Sequence, residues 1–261
     1  MKKLFAFCLA IITLFITLCC TACAPDKLTP FDNKNTKMIA HRGLSGIAIE
    51  NTVEAFTLAG EHSYYGIETD VRITADGKFI ICHDETLERI AGKDIVIEET
   101  TLSELLKVPL SMSDRPGTAY LCELGTYVEI CKQYNKHAIL ELKSKFNIQQ
   151  VGQIIDIISS YDYLDNTTFI SFKYENVAMV RELLPNQSVQ HLVVRFKLEV
   201  AEKLVANKID VSADYRYLRK QDIDYYHNAG LKVGCWTVDN KLIAQYLVWI
   251  GVDYITTNIL E

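Results

Sequence analysis

The sequence has no excess of positive charge. Its 27 Lys and Arg stand against 33 Asp and Glu, a net charge of −6. That balance argues against a basic surface for nucleic acid, although one or two arginines and a metal can still hold a phosphate locally. Cysteine is scarce where it could matter. Of the eight, Cys8, Cys19, Cys20 and Cys23 crowd the N-terminus. Cys82, Cys122, Cys131 and Cys235 show neither a CxxC pair nor zinc-ligand spacing. These last four read as buried single thiols. No glycine-rich nucleotide loop follows the first strand-like run, and no internal repeat or low-complexity segment is present. What remains is an ordinary globular composition, 49% hydrophobic and 23% charged, with enough apolar residues for a sizeable core.

The N-terminus differs from the rest. Lys2 and Lys3 precede a charge-free run from Leu4 to Ala24. A positive start followed by an apolar stretch reads as an export signal, and a run of about 20 residues also suits an uncleaved membrane anchor. "CTAC", Cys20 to Cys23, resembles a bacterial lipoprotein signal, in which small residues precede a cysteine that is lipidated and becomes the new N-terminus. Cys20 stands where Leu or a similar residue is usual. On this reading residues 1–22 are the signal peptide, residues 23–36 a polar tether beginning at lipidated Cys23, and residues 37–261 the folded domain. The protein is then expected on the outer face of the bacterial cytoplasmic membrane, held by its lipid anchor.

Beyond the tether, short apolar runs alternate with helical patterns. The strand candidates are 37–40, 66–71, 138–142, 168–171, 189–194, 209–212, 232–236 and 253–256. Helices are expected over 51–64, 121–135, 147–160, 174–184, 198–206, 219–229 and 240–248, with Gly230 and Gly251 as C-cap glycines. Eight strands, all but the last followed by a helix, predict a (β/α)8 TIM barrel, an α/β fold of about this size; a doubly wound open sheet is the alternative. In "RITADGKFIICHD", Asp76-Gly77 between two β-rich runs signals a hairpin. A small hairpin extension after strand two is therefore expected, with 79–82 outside the barrel.

Two carboxylates in "GIETDV", Glu68 and Asp70, are two apart on a strand, so they share a face. On a buried strand they repel each other and resist desolvation. A hard divalent cation such as Ca²⁺ or Mg²⁺ resolves both problems. Glu141, near the end of the next barrel strand, offers a third acid at the same mouth. His41 ends strand one and His83 ends the hairpin. A lone histidine is usually a packed residue, but two at strand ends near an acid pair suit proton transfer in both directions. His62, His137, His191 and His227 fall in helices or away from strand ends and read as structural. Arg42 offers a fixed positive fork for a phosphate, and Lys143 adds a cation on that rim or faces solvent.

These residues sit in a longer pattern. "HRG" at 41–43, "ENTVEAF" at 50–56, "GIETDVRITADGKFIICHDETLERIAG" at 66–92, "ELK" at 141–143 and "WTVDN" at 236–240 occur in the order seen in the glycerophosphodiester phosphodiesterase family. The chain resembles that family over about residues 37–258. The resemblance implies a (β/α)8 barrel that hydrolyses small-molecule glycerophosphodiesters to glycerol 3-phosphate and an alcohol. It casts His41 and His83 as the acid/base pair and Glu68, Asp70 and Glu141 as ligands to Ca²⁺ or Mg²⁺. Arg42 and Lys143 bind phosphate, Trp236 flanks the substrate, and Glu50 stands behind the site. Two letters depart from the family pattern. Ile49 replaces a proline, which is expected to loosen the loop, and Asn258 replaces an aspartate outside the core catalytic set. Rival readings are a lysophospholipase D or sphingomyelinase D-like enzyme and an inactive binding lipoprotein. The first needs an apolar groove, for which Phe172, Tyr174, Phe196 and Tyr215 are the candidates.

Overall fold

The structure is a computed structural model that describes residues 32–115 and 117–261. The expected signal peptide, Cys23 and most of the tether lie outside the described residues.

Eight parallel strands close into a barrel: β1 (Lys37–Ala40), β2 (Gly66–Ile73), β4 (His137–Leu142), β5 (Thr167–Ser171), β6 (Ser188–Val193), β7 (Asp210–Asp214), β8 (Val233–Trp236) and β9 (Tyr254–Thr257). Closure is made by β1, which pairs with β2 on one side and β9 on the other. Helices α1 (Val53–Glu61), α2 (Leu124–Gln133), α3 (Ile148–Ser160), α4 (Tyr174–Leu183), α5 (Leu198–Ala206), α6 (Lys220–Asn228) and α7 (Lys241–Ile250) form the outer ring. The predicted (β/α)8 fold is the one observed.

Local chemistry explains the boundaries. The Thr52 hydroxyl accepts the Ala55 N–H and starts α1. Asn147 and Gln150 form a capping box ahead of α3, which buries Val151, Ile154, Ile155 and Ile158 at helical spacing. Gly251, at φ +98°, closes α7 in the left-handed conformation that favours glycine. Gly230 lies one residue beyond the α6 cap, Ala229, also with positive φ. Most apolar side chains pack between sheet and helices. A smaller layer, Ile39, Ile139, Ile170 and Leu192, fills the barrel interior.

Three expectations need adjusting. The extension after strand two is more than a hairpin. β3 (Phe79–Ile81) does pair antiparallel with β2. It then leads into single-turn helices at Glu88–Ala91 and Leu102–Leu105 that build a second apolar cluster with Ile80, Cys82, Leu87 and Leu121. The helix expected from 121 starts at Leu124, because the Cys122 carbonyl is used by the Ile81 N–H. His137 is not away from a strand end: it opens β4, at the foot of the barrel opposite the mouth. Cys82, Cys122, Cys131 and Cys235 are buried free thiols, as expected.

Candidate active site

The site is assembled at the C-terminal ends of β1, β2 and β4. Residues two apart on β2 point inward together, and the parallel register sets Asp70 beside Glu141. Carboxylate oxygens of Glu68, Asp70 and Glu141 therefore lie within 4.8 Å of one another, all buried. Burial and the neighbouring Asp70 hold the Glu68 carboxyl well above the usual range and push Glu141 up to about 7. Burial works the same way on Asp70, but Arg42 and Lys143 outweigh it and its pKa falls. Asp70 Oδ1 is buried without a hydrogen-bond partner. A divalent cation fits this donor set: hard oxygens, converging, with one left unsatisfied.

Arg42 takes a left-handed backbone conformation at φ +55°. Its N–H donates to Glu68 Oε2 at 2.9 Å, while its guanidinium donates to Glu50 at 2.9 Å and lies 3.4 Å from Asp70. Gly43 follows at φ +76°, and a Cβ there would meet the Ala55 backbone at 2.6 Å, so α1 requires glycine at this turn. Lys143 does not face solvent. Its Nζ lies 3.1 Å from Glu141 and 3.6 Å from Asp70.

The two histidines are held differently. Asn258 Nδ2 donates to Asp239 at 2.6 Å, which turns Oδ1 towards His41 Nδ1 at 2.7 Å. Since Oδ1 only accepts, His41 carries its proton on Nδ1 and presents a bare Nε2, 3.9 Å from Glu68. Burial and Arg42 lower the His41 pKa to about 4. His83 Nδ1 instead pairs with the Asp84 carboxylate at 2.7 Å, and burial also lowers its pKa. Arg89 ties the two halves together. Its Nε donates to Asp84 at 2.7 Å and its two terminal nitrogens to Glu50 at 2.8 and 2.7 Å, so one guanidinium braces the partners of both His83 and Arg42. Arg72 clamps the His83 carbonyl at 3.1 and 2.8 Å.

His41, Arg42, Glu68, His83, Glu141 and Trp236 all line one cavity of about 160 Å³. Its far wall is apolar: Ile170, Leu192 and Phe172, whose ring packs edge-on against Trp236 at 5.3 Å. Of the four candidate groove residues only Phe172 lines this cavity. Tyr174 packs on His191, Phe196 on Tyr225 and Tyr226, and Tyr215 borders an adjoining surface depression that shares Trp236 and Thr237 with the cavity.

The sequence reading did not reach Arg89, Asp84 and Asn51, whose amide donates to Asp70 at 2.8 Å, and it set Asn258 aside. Asp84 follows His83 directly and could have been noticed as its partner; Arg89 and Asn258 carry no local signal. Ile49, in the place of the family's proline, is buried in the second apolar cluster with Ile80 and Leu87.

A closed barrel with paired histidines, an acid triad and a cationic rim at one mouth defines a barrel phosphodiesterase. The model of the glycerophosphoryl diester phosphodiesterase family matches residues 41–261. A glycerophosphodiester phosphodiesterase of Bacillus altitudinis is 30% identical over 233 residues, covering 85% of this chain and 94% of its own length. A glycerophosphodiester phosphodiesterase structure from Parabacteroides distasonis has a TM-score of 0.71 at 27% identity, covering 86% of this chain and 93% of that one. The fold also matches an Oleispira antarctica phosphodiesterase in complex with the product sn-glycerol-3-phosphate, with a TM-score of 0.74 at 24% identity, covering 88% of this chain and 96% of that one. The chain belongs to the glycerophosphoryl diester phosphodiesterase family, whose members are phosphoric diester hydrolases.

Proposed function

We propose that this enzyme hydrolyses glycerophosphodiesters to glycerol 3-phosphate and the head-group alcohol, with His41 as base and His83 as acid. The carrying observation is that both histidines, Arg42 and two of the three clustered acids line one cavity. Glu68, Asp70 and Glu141 would hold Ca²⁺ or Mg²⁺, which supplies positive charge and Lewis acidity to the phosphate.

His41 Nε2, kept bare because Nδ1–H is committed to Asn258, takes the proton of the nucleophilic hydroxyl, from water or the substrate's own glycerol 2-hydroxyl. The new phosphorus–oxygen bond forms as the bond to the head-group oxygen breaks. His83 serves as acid in its doubly protonated form: Nδ1–H stays on the Asp84 carboxylate, Nε2 gives its proton to that oxygen, and the ring is left neutral. Arg42 faces the phosphate oxygens and complements their shifting charge. If the 2-hydroxyl attacks, the cyclic phosphate is opened by water with the two histidines exchanging roles.

A small head group suits the cavity better than an acyl chain, because two of the four aromatic groove candidates, Tyr174 and Phe196, pack elsewhere and leave no continuous apolar groove of all four. The test offers the enzyme glycerophosphocholine, glycerophosphoethanolamine and lysophosphatidylcholine with Ca²⁺ or Mg²⁺. Released alcohol and glycerol 3-phosphate are expected from the first two, and none in EDTA. Turnover of the acylated substrate alone, or full turnover in chelator, overturns the reading.

We also infer export and lipidation at Cys23, supported by Lys2, Lys3, the charge-free run and "CTAC". Metabolic labelling with palmitate should mark the wild type and not Cys23→Ala; equal labelling of both overturns it.

A further inference from the structure

The outer ring of helices carries one apolar stripe that stands exposed among the described residues. On α7, Leu242, Tyr246 and Trp249 are 75%, 51% and 72% exposed. They recur at i, i+4 and i+7, so they stand on one face. The opposite face, Ala244, Leu247 and Val248, is buried against the barrel. The Tyr246 and Trp249 rings lie 6.1 Å apart. No other helix or strand among the described residues carries more than one exposed large apolar side chain. The helix also contains no acid, in a chain of net charge −6.

The path of the chain indicates what covers this face. The tether joins the barrel beside the Trp249 end of the stripe. The Thr36 hydroxyl donates to the Val252 carbonyl at 2.8 Å, and the Lys37 N–H to the Asp253 carbonyl at 2.9 Å, just past the α7 cap, Gly251. Cys23 and the charge-free run Leu4 to Ala24 lie upstream of that point. Fully extended, the tether from Cys23 to Thr36 spans at most about 45 Å, so an anchor there keeps α7 within reach of the bilayer. Tryptophan and tyrosine favour the head-group level of a membrane, and leucine the acyl boundary.

We propose that Leu242, Tyr246 and Trp249 rest in the interface of the lipid bilayer, laying the barrel on its side with the mouth opening along the surface. This rests on the anchored location inferred above. The anchor holds the chain near lipid, and α7 sets its orientation.

The test reconstitutes the full chain into phosphatidylethanolamine–phosphatidylglycerol vesicles, with and without acyl-brominated lipid. The protein has two tryptophans, so Trp236→Phe leaves Trp249 as sole reporter and Trp249→Phe leaves Trp236. The chain is expected to float with the vesicles. Brominated lipid should quench Trp249 at least about twofold and leave Trp236 unchanged. Adding Leu242→Ser and Tyr246→Ser to the Trp236→Phe protein should halve that quenching. The same pair in the wild-type background should leave flotation, far-ultraviolet circular dichroism and hydrolysis of soluble glycerophosphocholine intact. Flotation with Trp249 equally bright in both vesicles overturns this proposal and leaves the anchor standing. Failure to float overturns both. Cross-linked pairs of chains in detergent that the double serine variant abolishes assign the face to a second copy, which also overturns it.

Discussion

The two ends of this barrel bury different kinds of polar group. At the foot, His137 Nε2 meets the Thr168 hydroxyl at 2.8 Å, and that hydroxyl reaches Ser188 at 3.0 Å. The His137 ring stacks on Tyr65. The groups are neutral and they satisfy one another. At the mouth, three acids converge within 4.8 Å, and Asp70 Oδ1 and Arg42 Nε are buried with no hydrogen-bond partner. The foot too has unpartnered buried atoms, the Tyr64 hydroxyl and Arg181 Nε, but only at the mouth do they belong to a carboxylate and a guanidinium that converge on one cavity. Each unsatisfied buried group costs about 1–3 kcal/mol, a cost that a cation and a phosphate bound there would offset. Both ends contain a histidine of lowered pKa, so the pKa alone does not separate a structural histidine from a catalytic one. The neighbours do.

The sharpest way to break this contrast is to delete a histidine at each end. His41→Ala or His83→Ala should lower kcat by about 10²–10⁴, while His137→Gln stays within about twofold of wild type in the same glycerophosphocholine assay. An equal loss at both ends would erase the distinction.

Arg89 tests whether the mouth works as one braced unit. It does not line the active-site cavity, yet it holds Asp84 and Glu50. Arg89→Gln should lower kcat by about 10–100-fold, the usual cost of losing an outer-shell partner, and Arg89→Lys should restore little because a two-armed contact needs the guanidinium fork. Unchanged kcat in Arg89→Gln would reduce this network to surface ion pairing.

The foot makes a pH prediction. Burial, then Lys37, lowers the His137 pKa from 6.5 to about 4. The unfolded chain therefore takes up a proton below 6.5 that the folded chain refuses until about 4. Stability from this group is present above 6.5 and is lost as pH falls through that window, by up to about 3 kcal/mol. Urea titrations at pH 7 and pH 4.5 should show a smaller loss for His137→Gln than for wild type. Parallel losses would remove His137 as the cause.

The smallest expected effect concerns Glu68. Its ionised form is disfavoured by burial and by Asp70, so without metal Glu68→Gln should shift stability by less than about 1 kcal/mol. With Ca²⁺ at 100 times its Kd, wild type should gain about 2.7 kcal/mol and the variant far less. Equal gains in a calcium-dependent melt would place the cation elsewhere.

Much of this was legible in the sequence because it is local. Strand periodicity put Glu68 and Asp70 on one face, Asp76-Gly77 marked the hairpin, and Asn147 and Gly251 marked helix ends. The Arg89 brace was not legible, since Arg89, Glu50 and Asp84 meet only across a loop, a helix start and a hairpin. The role of Asn258 was missed for the same reason: its contact with His41 joins the last strand's exit to the first. The second apolar core was hidden because its residues are scattered from Ile49 to Leu121, with no single period to reveal them. That core accounts for Ile49, which sequence comparison alone marks as a departure.

By itself the sequence determined the alternating elements, the eight-strand barrel they imply and the inward pairing of acids, all of which follow from backbone periods of 2 and 3.6. Tertiary structure alone decided which nitrogen of His41 stays bare, that Arg42 and Lys143 lie against the acids and that Tyr174 and Phe196 face away from the cavity. These depend on side chains brought together by barrel closure, where separation along the chain carries no information about distance in space.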